Sequence, residues 1–337
     1  MWSNAMCGLM PVQVKSFNTI DMDKANEKMK LGDLAELWMA ERGAVLKRSS
    51  LSTYRLIVNK HLIPAFGECE DVGDADVSRF IENLKGKGCN AKTVRDYLAV
   101  LRMIVRWAED RCLAGHIRIN SPIQSRQKQA EIQVLTVEEE RKLLRYLRSN
   151  LSLKNIGVWM SVTTGMRIGE ICALQWCDID LKNKLVRVNR TVNRIYRAGE
   201  DGSTTTVINL DRPKTSQSER TVPLSMELVK KLVHLKAISE ESNYVITNSA
   251  RPTEPAVYRR YYNRMMEKLG LPGFKFHTLR HTFATRCVEC NVDYKVLSHI
   301  LGHADIGTTL NTYVHPSEKQ KHLAVNKMLR SVCNGLD

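Results

Sequence analysis

The chain has 337 residues, 43% of them apolar, which suffices for two domains of ordinary size and excludes wholesale disorder. Its formal net charge of +15 is spread along the chain rather than held in one block, and a basic balance of this size points to a polyanionic partner. No run of about 18 apolar residues and no lipidation signal is present, so nothing in the sequence reads as a membrane span or anchor.

Ser3-Asn4-Ala5 ahead of Met6 resembles a cloning remnant and is left out of fold reasoning. Residues 1–30 carry no strong periodicity and are expected to be flexible. From Leu31 the pattern turns helical, with Leu31, Leu34, Leu37 and Trp38 on one face. A second helix is predicted over Ser50 to Ile63, with Pro64 marking its end. A third is predicted over Asp74 to Lys87. Asn90 can cap a fourth running to about Ala114, closed by Gly115. Pro122 and the polar, basic run from Gln124 to Gln129 break the periodicity, so residues 117–134 read as a linker. Thr136 and Glu139 have capping-box spacing, which starts a second domain near residue 135.

In that second part Ile156 to Val162 is apolar and precedes Gly165, and Arg167 to Leu174 reads as a short helix with Arg167 and Glu170 on one face. Strands are expected over Leu185 to Ile195, Thr204 to Leu210 and Glu219 to Leu224, with Lys214 on the loop between the last two. Helices are expected over 225–238, 255–269, 277–290, 293–301 and 317–330. Nine irregularly placed cysteines read as reduced thiols. Cys287-x-x-Cys290 lacks the second pair that a zinc site needs, and no dense carboxylate cluster is present to hold magnesium. Asp178 and Asp180 fit turn or cap roles. His299 and His303 are four apart, but Gly302 is expected to end the helix between them, so no metal site is assigned.

The residues that carry chemistry are Arg167, Lys214, His277, Arg280, His303 and Tyr313. A phosphodiester repels nucleophiles, and its displacement gathers negative charge on the equatorial oxygens. Two arginines suit that charge, because the guanidinium donates bidentately and stays protonated. A tyrosine with an ordinary pKa of about 10 needs an arginine field and a base to attack near neutrality. A sugar hydroxyl leaves poorly unless an acid such as Lys214 protonates it. A phosphotyrosine would conserve the bond energy and allow rejoining without ATP. Taken alone, Tyr313 reads as packing, Arg280 as a surface residue, and His281 and His299 as structural.

Four boxes stand in order: Gly165-Met-Arg167-Ile-Gly-Glu170; Pro213-Lys214-Thr with Arg220-Thr-Val-Pro; His277-Thr-Leu-Arg280-His281; and Leu301-Gly-His303 followed by Tyr313. Together they resemble the tyrosine recombinases, the phage and transposon integrases and Xer proteins, closely over 135–330 and more loosely over 31–115. The resemblance implies a mainly α, two-domain chain. Residues 31–116 would form an all-α, SAM-like, four-helix core-binding domain, and 135–337 an α+β catalytic domain with a small antiparallel sheet and a C-terminal tail helix. It implies that Arg167 and Arg280 grip the scissile phosphate and that Lys214 protonates the 5′-oxygen. His277 would assist proton transfer, His303 would bond the phosphate, and Tyr313 would attack to leave a 3′-phosphotyrosine. Glu170 would hold Arg167.

The same resemblance implies double-stranded DNA as substrate, a homotetramer on DNA that is monomeric when free, accessory DNA-bending or excision factors, a cytoplasmic, nucleoid-associated setting, and no cofactor. Lys47, Arg48, Lys92, Arg95, Arg126 and Lys128 are candidates for phosphate contacts. Many relatives carry an arm-binding domain ahead of the core-binding helices. With about 30 residues there, the chain is expected to be of the simpler two-domain type or trimmed. The apolar set Leu323, Val325, Met328, Leu329 and Val332 could pack on its own subunit or on a neighbour. Two rival readings stand beside recombination: a type IB topoisomerase, and a DNA-binding protein without catalysis.

Overall fold

The computed structural model describes residues 29–114, 119, 132–198, 204–211 and 219–313, with five positions between 322 and 329. The chain divides into two compact units, Met1–Ser125 and Arg126–Asp337.

Among the described residues, the elements of the first unit are all helical: α1 (Leu31–Gly43), α2 (Arg48–Ile57), a π-helical turn (Val58–Leu62), α3 (Ile63–Phe66), α4 (Asp74–Gly86) and α5 (Ala91–Glu109). Asn90 caps α5, its side chain accepting from the Thr93 N–H at 2.8 Å. Trp38, Phe66, Leu98, Leu101 and Ile104 are almost wholly buried in one core, each side chain contributing about 1.5–3 kcal/mol of transfer free energy. Pro64 does not end the second helix. The backbone widens into the π turn just upstream and resumes as α3 with Pro64 in its first turn, where a proline's missing N–H and the clash of its ring with the preceding turn are tolerated.

The second unit begins with α6 (Val137–Ser149). There Thr136 Oγ1 accepts from the Glu139 N–H at 3.2 Å, and the Glu139 carboxylate accepts from the Thr136 N–H at 2.8 Å. Next comes α7 (Leu153–Thr164), buried almost all round from Asn155 to Val162 and so the central helix of the unit. After it come α8 (Ile168–Ala173), a short 3₁₀ turn (Trp176–Asp178), β1 (Ile179–Asp180), β2 (Leu185–Val188), β3 (Thr191–Ala198), β4 (Thr204–Asp211) and β5 (Arg220–Pro223). The unit continues with α9 (Met226–Lys236), α10 (Pro255–Lys268), α11 (Phe276–Glu289), α12 (Tyr294–Leu301) and α13 (Ile306–Tyr313).

The strands form two small antiparallel sheets, one in the order β1-β2-β5 and the other a β3-β4 hairpin with Thr191 opposite Asp211 and Ala198 opposite Thr204. The single strand expected over Leu185 to Ile195 is therefore two strands in different sheets. The chain breaks at Asn189-Arg190, where both side chains bond the buried Asp178 carboxylate. Asp178 also accepts the Gln175 N–H at 3.0 Å, and Asp180 that of Asn183 at 2.9 Å, the cap and turn roles expected of them. The segment before Tyr313 is helical, which the sequence pattern did not suggest. The expected tail helix and the Lys214 loop lie outside the described residues, apart from isolated helical positions in the tail.

Candidate active site

α7 ends at Gly165, which adopts φ +69° and turns the chain sharply into α8. A side chain at this position would meet Leu301 Cδ2 at 2.7 Å and Phe283 Cδ1 at 2.8 Å, so both the backbone and the packing require glycine. Two residues on, Arg167 is the N-cap of α8, and Glu170 sits in that helix's first turn. The Glu170 carboxylate accepts the Arg167 N–H at 2.8 Å and Arg167 Nη1 at 2.9 Å, so a capping contact and an ion pair orient the same arginine.

The C-terminus of α12 organises the rest. Its last carbonyls have no partner within the helix and carry the negative end of the helix dipole. Three successive ones receive three guanidiniums. Arg220 Nε, from β5, donates to Ile300 O at 2.6 Å; Arg280 Nη2, from α11, donates to Leu301 O at 2.8 Å; and Arg167 Nη2 reaches Gly302 O at 3.4 Å. Arg280 Nη1 donates to Gly165 O at 2.8 Å, tying the turn after α7 to the same point. Gly302 takes φ +65° and releases the chain toward His303, ending the helix before that residue as expected. His303 Nδ1 lies 2.8 Å from Thr309 Oγ1, leaving Nε2 for another partner.

Among the described residues, three guanidiniums thus face one carboxylate. Burial opposes ionisation of Glu170, but the hydrogen bonds and charge of Arg220, with Arg167, outweigh it and hold the carboxyl below its usual range. Arg220 grips it bidentately at 3.0 Å, both side chains being at least nine-tenths buried. Arg280 is 2% exposed, and burial, then the neighbouring Arg167, push its pKa down to about 9. Burial, then Arg280 and Arg167, push His303 down to about 4. His277 also falls to about 4, through burial, His281 and then Arg280, although its side chain is exposed enough for solvent to screen part of the charge repulsion. The site therefore carries surplus fixed positive charge and neutral imidazoles, an environment that favours an added anion.

Tyr313 ends α13 and is 9% exposed, its ring packed with Ala284, Leu297 and Leu301. Burial raises its pKa, while Arg280 and Arg167 pull it back. Its hydroxyl lies 2.8 Å from His281 Nδ1.

Arg167, Glu170, Arg280 and His303 meet around the end of α12; Tyr313 and His277 adjoin them across α11, close enough for the arginine charges to act on both. Lys214, Arg126 and Lys128 lie outside the described residues. Lys47, Arg48, Lys92 and Arg95 belong to the first unit, at the starts of α2 and α5; all but the half-buried Arg95 are exposed.

Two residues of the site were given no chemical role from the sequence. Arg220 lies two residues from the buried Val222 in β5, so strand alternation gives it the inward face, a signal that was present in the sequence. His281, read as structural, instead meets the candidate nucleophile. It lies one turn after His277 on the same helical face, their rings edge-on at 4.5 Å. Among the described residues no group of three or more metal-ligating side chains gathers, and Cys287 and Cys290 are free.

Residues 133–320 match the phage integrase family, more than half of the chain. The chain is 28% identical over 325 residues to a tyrosine recombinase XerC-like protein of Caldanaerobacter subterraneus subsp. tengcongensis, covering 88% of this chain and 82% of that one. It is 32% identical over 203 residues to the transposase of transposon Tn916 from Enterococcus faecalis, where the match spans 54% of this chain and about half, 47%, of the relative. Among solved structures, the Tn1549 transposon integrase in complex with transposon right-end DNA superposes with a TM-score of 0.71 at 21% identity, covering 89% of this chain and all of that one. A lambda integrase dimer bound to a core site gives 0.59 at 19% identity, covering 87% and 80%. Those two likenesses show the shared fold, and the family match shows the kinship: the chain belongs to the phage integrase family of tyrosine-type, site-specific DNA recombinases, enzymes that break and rejoin DNA strands.

Proposed function

We propose that this recombinase cuts one DNA strand with Tyr313 and rejoins it to another, within a tetramer on DNA, to integrate or excise a mobile element. The phenol oxygen attacks the scissile phosphorus, the bond to the 5′-oxygen breaks, and a 3′-phosphotyrosine holds the strand until a second 5′-hydroxyl reverses the step. Arg167 and Arg280 bind the non-bridging oxygens, and His303 donates a further hydrogen bond to the phosphate. Lys214 delivers the proton that the 5′-oxygen needs, and His277 assists proton movement. The first unit and the exposed Lys47, Arg48 and Lys92 bind the flanking duplex through its phosphates. The complexes of the Tn1549 and lambda integrases with DNA, and the lambda integrase tetramer on a Holliday junction, support the choice of DNA and of a tetrameric assembly. DNA in the cytoplasm is the setting, and accessory factors decide direction.

The observation that carries this reading is the trio of arginines held on Ile300, Leu301 and Gly302 with one carboxylate among them, a surplus of fixed charge beside a buried tyrosine. The test is a nicked duplex bearing the element's own end sequence. The wild-type chain is expected to form a covalent protein–DNA adduct that Tyr313→Phe abolishes and that EDTA leaves intact. An adduct that persists in the Phe variant, or strict dependence on a divalent metal, overturns the reading.

A further inference from the structure

We infer that His281 accepts the hydroxyl proton of Tyr313 as the tyrosine attacks phosphorus, an inference that rests on the recombination chemistry above. A phenol of ordinary pKa about 10 is a poor nucleophile near neutrality, and it needs a base on the side away from the phosphate. Among the described residues the Tyr313 hydroxyl has one hydrogen-bond partner, His281 Nδ1 at 2.8 Å. The geometry is fixed by packing. His281 follows Arg280 on α11, half-buried, and α13 lies against α11 with the two rings tilted at 53° and their centroids 5.7 Å apart. Burial, then the adjacent Arg280, favours the uncharged imidazole, which has one lone pair to offer. With the ring proton on Nε2, Nδ1 accepts from the phenol.

The step balances. The Oη–H bond breaks and its proton passes to Nδ1; the Oη–P bond forms; the P–O5′ bond breaks, and the leaving oxygen takes a proton from a separate acid, Lys214 in the reading above. The imidazolium so formed lies beside Arg280. The negative charge gained by the phosphate offsets that repulsion while the adduct forms, and the repulsion speeds return of the proton when the tyrosine leaves during rejoining. His277 stands edge-on to His281 at 4.5 Å and is itself exposed. In this arrangement two histidines of one helix divide the labour, with His281 on the nucleophile.

The test compares single-turnover adduct formation on two nicked duplexes of the element's end sequence, one with the natural 5′-oxygen and one with a bridging 5′-sulfur that leaves without an acid. His281→Asn keeps a hydrogen-bonding atom near the Nδ1 position but cannot take a proton; His281→Ala removes both. The Asn variant, with wild-type thermal unfolding, is expected to be slower by about 10²-fold or more on both duplexes, with Ala no better. Lys214→Ala is expected to recover on the sulfur duplex. An Asn variant within threefold of wild type would make His281 a spacer alone and overturn the inference, as would rescue of the Asn variant by sulfur, which would move its role to the leaving group. Failure of the wild-type chain to form any adduct on either duplex overturns the recombination reading together with this one.

Discussion

Glu170→Ala is the sharpest test of how the arginine cluster is held. The carboxylate accepts from Arg167 twice and from Arg220 twice, at 2.8–3.0 Å. Summing about 1.5–3 kcal/mol for each charge-assisted bond gives a figure too large to be real, because the donors are not independent. Arg167 has a side chain 37% exposed and is rehydrated when released. Arg220, 6% exposed, loses both of its bonds to this carboxylate, and removing one partner of a buried ion pair costs about 3–5 kcal/mol. That is the expected loss for the catalytic unit. The chain has two compact units, so a whole-chain melt does not report it cleanly. Hydrogen exchange of the buried α7 amides does, and their protection is expected to fall by about two to nearly four powers of ten. Replacing both partners, Glu170→Met with Arg220→Met, is expected to cost less than the sum of the single changes, since no charge is stranded. A loss below about 1 kcal/mol for Glu170→Ala, or a double variant as costly as the two singles together, would refute the view that this carboxylate balances the cluster.

Three further outcomes are expected. Stability of the catalytic unit is expected to decline as the pH falls. His303 is held near 4 in the fold, so below the ordinary histidine value of about 6.5 the unfolded chain binds protons that the folded one refuses; Glu170 adds a loss at lower pH, as its depressed carboxyl finally protonates. A denaturation series in pH steps checks this, and His303→Asn is expected to flatten the slope between about pH 6.5 and 4. Gly165→Ala forces a Cβ against Leu301 and Phe283 at φ +69° and is expected to lower the melting temperature of the catalytic unit by roughly 5–15 °C, from about 2–4 kcal/mol of strain and overpacking. Arg167→Lys, at a half-open position, is expected to fold normally yet cleave about 10²-fold or more slowly, because an ammonium cannot serve Glu170, the Gly302 carbonyl and a phosphate at once. Equal loss of folding and cleavage in that variant would point to a structural arginine instead.

The sequence was most informative where one local force decides the outcome. Asn90 and the Thr136–Glu139 pair cap their helices because a short polar side chain reaches free N–H groups with no help from the rest of the chain. Gly165 and Gly302 take the left-handed turns that glycine permits. It was misleading where two forces compete. Pro64 reads as a stop until the π turn makes room for it, and Leu185 to Ile195 reads as one strand until Asp178 recruits Asn189 and Arg190. The helix before Tyr313 has little intrinsic preference, with three threonines and a glycine in eight residues, and is held instead by packing on α12. Within the site, residue types and order named Arg167, Glu170, Arg280, His303 and Tyr313 as candidates, and the fold gathers the first four at the end of α12 with Tyr313 adjoining. The Tyr313–His281 contact was not legible, because it depends on how α13 returns against α11, a long-range event that periodicity does not encode.

The anchoring of the arginines on Ile300, Leu301 and Gly302 has an evolutionary side. What holds them is peptide carbonyl, which every amino acid supplies alike. Apart from the buried Leu297, Ser298 and Leu301 that seat the helix, and the glycine that ends it, α12 can change its side chains without removing the carbonyls that hold the charge cluster. Tyr294, Val296 and the other outward positions are thus free to drift toward new neighbours while the bond-breaking apparatus stays constant. A reaction centre fastened to the main chain is in this way insulated from changes on the outer face of the helix that holds it.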